Sequence, residues 1–146
     1  MSLFNLPRPW VLTNGVFDLL HPGHVDMLEQ CKQYGTVIVA MNSDKSVRLL
    51  GKGQERPYVD QAGRAMMLLA LKAVDAVVTF ETLTAASVVR ELKPDYYVKG
   101  PEYKGLETPE TLEVEKYGGT VLYLEADPAY TGYRTTLLVN KIKGNV

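Results

Sequence analysis

The sequence predicts an α/β domain: a Rossmann-like, five-stranded parallel sheet with helices on both faces. Three observations carry this. Short apolar runs alternate with amphipathic stretches along the chain. One run, "TVIVAMN" at 36–42, is continuously apolar and rich in β-branched residues, which suits a strand covered on both faces. Glycine, proline and polar clusters punctuate the runs at the spacing of βα units. A length of 146 residues suits one domain, 1–146, large enough to bury a real core.

The elements follow in order. "WVLTN", 10–14, reads as a strand. "HPGHVDMLEQCKQYG", 21–35, reads as a helix, with Pro22 near its start and Gly35 past its end. Val25, Leu28, Cys31 and Tyr34 share one of its faces. After the strand at 36–42, "SDKSVRLL" (43–50) suits a short helix capped by Ser43 or Asp44. "GKGQERPYVD", 51–60, is a loop with two glycines, a proline and four charges. "QAGRAMMLLALKAV", 61–74, is the most apolar helix, and "DAVVTF", 75–80, is a strand. "TAASVVRELKP", 84–94, is a helix ended by Pro94. "DYYVKG", 95–100, is a strand feeding the loop 101–110. A helix over 111–119 with a glycine stop, a strand over 120–125, a loop over 127–136 and a closing helix over 135–142 complete the series.

Composition narrows the function. A formal net charge of -1 offers no general field for nucleic acid or an anionic membrane, so an anionic ligand needs a local cluster. A single cysteine, Cys31, rules out an internal disulfide and a multi-thiolate zinc site, and suits a reducing, cytoplasmic compartment. "MSLFNLPRPW" lacks the charged and apolar regions of a signal peptide, and no apolar run is long enough to cross a bilayer.

In parallel sheets, ligands bind beyond the carboxyl ends of the strands. Four such segments here are "NGVFDLLHPGH", "MNSDKS", "VKGPEY" and "ADPAYTGYRTT". They are polar, glycine-containing and cationic, and they should converge on one edge. His21 and His24, the only histidines, bracket Pro22 and Gly23 where the first strand hands over to a helix. Three residues apart on a helical turn, they share a side and sit beside unpaired N–H groups that favour anions. Gly23 leaves room for a ligand to approach the backbone, and an imidazole can donate to a phosphate near its charging pH. Two other readings stand beside this one: surface histidines near a helix start, or a metal pair completed by carboxylates.

"NGVFDLLHPGH" resembles the His-x-Gly-His signature of the cytidylyltransferase-like nucleotidyltransferase superfamily. The later blocks "MNSDKSVRLL", "GKGQERPYVDQAGRAMMLLALKAVDAVVTF", "LKPDYYVKG", "YGGTVLYL" and "YRTT" are similar in order and spacing to the adenylyltransferase domain of bacterial ADP-heptose synthases. The resemblance implies in-line attack by a substrate phosphate on the α-phosphate of a nucleoside triphosphate carried with Mg²⁺. Pyrophosphate leaves. ATP with D-glycero-β-D-manno-heptose 1-phosphate is the first expectation. CTP with glycerol 3-phosphate, or a related phosphate or phosphonate, is the alternative, and a non-catalytic nucleotide-binding module ranks below both.

By the same resemblance, His21, His24, Lys99 and Arg64 would be catalytic. Asn14, Gly15, Val16, Phe17, Asp18, Gly23, Lys99, Gly100, Thr135 and Thr136 would bind the nucleotide. Asn42, Ser43, Asp44, Lys52, Arg56 and Arg134 would form the acceptor pocket. No residue is assigned as a protein metal ligand. Nucleic acid and membrane partners are not expected, and a homodimer is compatible with the likeness. Two positions depart from relatives: Arg134 stands where a serine is common, and Pro101 replaces a second glycine after Gly100. The loop 51–58 is the best candidate lid.

Overall fold

The structure, a computed structural model, describes residues 2–125, 127–130 and 132–144. Thr131, inside the expected loop 127–136, lies outside them, as do the ends of the expected domain 1–146. Five strands form one parallel sheet: β1 (Trp10–Gly15), β2 (Thr36–Asn42), β3 (Ala76–Phe80), β4 (Tyr96–Lys99) and β5 (Thr120–Tyr123), in the order β3-β2-β1-β4-β5. Among the described residues six α-helices accompany them: α1 (Pro22–Lys32), α2 (Asp44–Leu49), α3 (Gln61–Leu69), α4 (Ala86–Leu92), α5 (Pro109–Tyr117) and α6 (Thr135–Ile142). The expected class and strand count hold.

Strand alternation sorts the core into two layers. Trp10, Leu12, Ile38, Ala40 and Tyr97 face α4 and α5 through Val88, Val89, Leu92 and Val114. Val11, Val37, Val39, Met41 and Val98 face α1 and α3 through Leu28, Cys31 and Leu68. Burial pushes the Cys31 thiol up to about 12, which leaves it inert as a nucleophile. Among the described residues no helix is long and apolar enough to cross a membrane.

Several boundaries differ from expectation. α3 stops at Leu69, not 74, and a turn closed by the Leu71 N–H on the Leu68 carbonyl brings Ala73 and Val74 into the core. The cause is tertiary. Asp75 docks on the start of β2, its N–H donating to the Val37 carbonyl at 3.0 Å and its carboxylate accepting from the Val37 N–H at 2.8 Å. α5 begins at Pro109, not 111. Thr108 and Thr111 form a capping box and Pro109 takes the first helical position, a signal already present in "TPET". α1 is shorter than 21–35 and β5 shorter than 120–125.

β1 lies at the switch point. It pairs with β2 along its whole length, from Trp10 to Gly15. With β4 it pairs only at Val11–Tyr96 and Leu12–Tyr97. Past those residues the two strands open a crevice, the usual ligand position in such sheets.

Candidate active site

The crevice widens into a cleft of about 610 Å³ lined by Asn14, Gly15, Val16, Phe17, His21, Gly23, His24, Asn42, Lys52, Lys99, Gly100 and Arg134. A smaller compartment of about 320 Å³ shares the histidines, Lys52 and Arg134, and adds Asp18, Arg56, Thr135 and Thr136. The loops after the strands therefore converge, as expected.

The histidines are organised by the start of α1. His21 is its N-cap, and its Nδ1 accepts the Gly23 N–H at 3.1 Å. His24 closes the reciprocal half of the box, its Nδ1 accepting the His21 N–H at 3.3 Å. Histidine is an unusual residue for this motif. The rings stack at 3.7 Å between centroids. A nitrogen that accepts a backbone N–H carries no proton, so each neutral ring bears its proton on Nε2. Burial and the neighbouring His21 hold His24 down to about 4, and burial also lowers His21. His24 is thus neutral at pH 7, and the shift of His21 runs in the same direction. Phe17, in the left-handed region at φ 52°, packs its ring 5.1 Å from His24 and helps to bury it. A Cβ on Gly23 would sit 2.9 Å from His21 Cε1, so the glycine, which also lines the cleft, makes room for the imidazole cap.

Several residues expected at the site make internal contacts of the protein. Asp18, whose side chain is 0% exposed, accepts Arg56 Nε at 2.7 Å and the N–H groups of Tyr58 and Val59 at 2.9 Å. It pins residues 56–59 to the turn after β1, and its carboxylate is saturated. Arg64 does not line the cleft. Its fully buried guanidinium donates to the carbonyls of Val59 (2.9 Å), Val16 (2.8 Å) and Asn42 (2.7 Å), and to Asp44 (2.8 Å). Through these contacts Arg64 is a strut joining three loops. Ser43 caps α2 by accepting the Ser46 N–H, and Asp44 is held by Arg64, so neither enters the cleft wall. Asn42 lines the cleft while donating to Ser46 Oγ at 2.9 Å. Arg56 reaches the smaller compartment already paired with Asp18.

The cations that remain are Lys52, Lys99 and Arg134. None makes an ion pair among the described residues. Lys99 Nζ lies 4.4 Å from the Tyr103 ring centroid and 5.7 Å from that of Tyr97. Arg134 is the N-cap of α6 without a side-chain cap bond, which leaves the helix-start N–H groups near Thr135 and Thr136 for an anion. Pro101 follows Gly100 as the first residue of a tight turn, Pro101–Tyr103, and its missing N–H disrupts nothing there. Among the described residues no group of three His, Cys, Asp or Glu side chains is arranged to hold a metal.

Sequence reasoning did not single out the apolar and aromatic walls Met27, Leu50, Leu83, Leu124, Tyr130 and Tyr133. Tyr133 lies nearly parallel to His21, with centroids 6.5 Å apart. Only proximity to the motif in "AYTGY" could have flagged it.

Beyond the open end of the β1–β4 ladder, the fold brings a histidine-capped helix start, Lys52, Lys99, Arg134 and the start of α6 to one place. Comparison with known proteins gives the family. The cytidylyltransferase-like family matches residues 12–141, and the chain belongs to it. It is 47% identical over 139 residues to D-beta-D-heptose 1-phosphate adenylyltransferase of Bordetella bronchiseptica, covering 94% of this chain and 84% of that one. It is 44% identical to the bifunctional protein HldE of Koribacter versatilis, over 90% of this chain but only 26% of that longer protein. Among solved structures it superposes on the lipopolysaccharide core biosynthesis protein of Thermoplasma volcanium with a TM-score of 0.64 at 30% identity, covering 81% and 95% of the two chains.

Proposed function

We propose that the protein transfers AMP from ATP to D-glycero-β-D-manno-heptose 1-phosphate, giving ADP-heptose and pyrophosphate. The reading rests on the neutral histidine pair, whose Nδ1 atoms are fixed by backbone N–H groups so that both Nε2–H bonds are left to donate. Likeness to the heptose 1-phosphate adenylyltransferase supports the choice of substrates.

An acceptor phosphate oxygen attacks the α-phosphorus in line, and the bond to the β-phosphate oxygen breaks. Negative charge builds on the non-bridging oxygens and on the leaving pyrophosphate. His21 and His24 donate through Nε2–H, and because they are neutral they give up no proton. Lys99, Lys52 and Arg134, none of them in an ion pair among the described residues, supply positive charge, while the α6 N–H groups face the leaving phosphates. Mg²⁺ arriving with the triphosphate shields its oxygens. Asp18, Arg56 and Arg64 hold the loops in position.

The test is pyrophosphate release with Mg²⁺, each of four nucleoside triphosphates, and a panel of sugar and polyol phosphates. ATP with the heptose phosphate should react. His21→Ala and His24→Ala should fold yet lose about 100- to 1000-fold in rate. Release with CTP and glycerol 3-phosphate but not with ATP overturns the substrate assignment. Silence across the panel overturns transferase activity toward these acceptors.

A further inference from the structure

Tyr97 is fully buried in the layer that faces α4 and α5, in the same side-chain row as Lys99, two residues on. Its partner residue on β1 is Leu12, the last pair of the β1–β4 ladder. Asn14 lies two residues beyond Leu12 on the same face. Where the backbone ladder stops, the Tyr97 hydroxyl crosses the crevice and donates to Asn14 Oδ1. Burial pushes that hydroxyl far above its usual range, so it stays a donor. With Oδ1 engaged, the Asn14 NH₂ group has no partner among the described residues and belongs to a residue lining the cleft. The Tyr97 ring, with that of Tyr103, also forms an aromatic cradle for Lys99, whose Nζ lies 5.7 and 4.4 Å from the two centroids. Such a cradle orients an ammonium without neutralising it, as a carboxylate would.

We propose that Tyr97 is a positioning residue for the nucleotide: it sets the Asn14 amide and the Lys99 ammonium on opposite lips of the crevice between β1 and β4. This deepens the functional reading above and rests on it. Tyr97 touches no substrate and acts through the two residues that do.

ATP binding by calorimetry, with Mg²⁺ and without acceptor, separates the cases. Tyr97→Phe keeps the ring and removes the hydroxyl. It should weaken ATP binding about five- to tenfold, the equivalent of one net hydrogen bond. In turnover the KM for ATP should rise by a similar factor, with kcat within about twofold. Asn14→Ala should match it, and the double variant should be no weaker than either single one. Tyr97→Leu, which also opens the Lys99 cradle, should lose more. A Tyr97→Phe protein that is less heat-stable but binds ATP as the wild type does overturns the proposal, because a purely structural tyrosine behaves that way. Additive losses in the double variant overturn it too. Wild type that binds ATP but leaves heptose 1-phosphate unreacted sinks the acceptor assignment alone. Failure to bind any nucleotide sinks both.

Discussion

His24 ties catalysis to stability through one proton. Protonating it at Nδ1 would break the bond to the His21 N–H and place a cation in a buried, stacked pair. The folded chain holds its pKa at about 4, against 6.5 for an exposed imidazole. Between those pH values the unfolded chain binds more protons, so this residue's contribution is present above pH 6.5 and is lost as pH falls through about 4. At ~1.4 kcal/mol per pH unit, the gap amounts to at most about 3 kcal/mol, since the ring is not fully enclosed. His24→Gln is the right perturbation. Glutamine at the third helical position can still accept the cap N–H, and it does not titrate. Urea unfolding followed by the fluorescence of Trp10, the single tryptophan and 1% exposed, would be run from pH 4 to 7.5 on both proteins. Wild type should lose up to about 3 kcal/mol more than the variant across that range. Parallel stability curves, or an NMR titration of the His24 ring with a midpoint near 6.5, would refute the reasoning.

Two further substitutions test the struts. Asp18→Asn breaks a buried pair and leaves Arg56 and a backbone N–H short of an acceptor. It should destabilise the protein by roughly 3 kcal/mol in urea unfolding without ligand, and a stability near wild type would show that the clamp on residues 56–59 is dispensable. Arg64→Met orphans the buried carbonyls of Val16 and Asn42 and should destabilise by about 3 kcal/mol or more. Arg64→Lys should not restore the loss, because an ammonium cannot span four acceptors in that geometry. If Arg64→Met unfolds like wild type but fails only in turnover, Arg64 is a phosphate ligand after all.

Local features of the chain carried the architecture and the place of the site. Alternating runs marked all five strands, because a strand covered on both faces must be apolar whatever its partners are. The spacing of His21 and His24 located a helix start, since three residues apart on a helix means the same side. Their neutrality was not legible. It follows from ring stacking, from the left-handed Phe17 beside them and from backbone N–H groups that claim both Nδ1 atoms.

The fate of the charged residues was decided only in three dimensions. Asp18 in the turn after the first strand, Lys52 and Arg56 in the glycine-rich loop and Arg64 at the head of the next helix were all expected at the ligand. Whether one becomes a ligand or a strut depends on which distant acceptors the folded chain brings within about 3 Å. Arg64 meets the Val16 carbonyl 48 residues away, whereas Lys52 makes no ion pair among the described residues. Tyr97 and Asn14 stand 83 residues apart and meet only because β1 and β4 are neighbours whose ladder stops early. Hydrophobic periodicity is a property of neighbours along the chain and survives in the sequence by itself. Polar satisfaction is a property of neighbours in space, so the identity of the free donors had to wait for the fold.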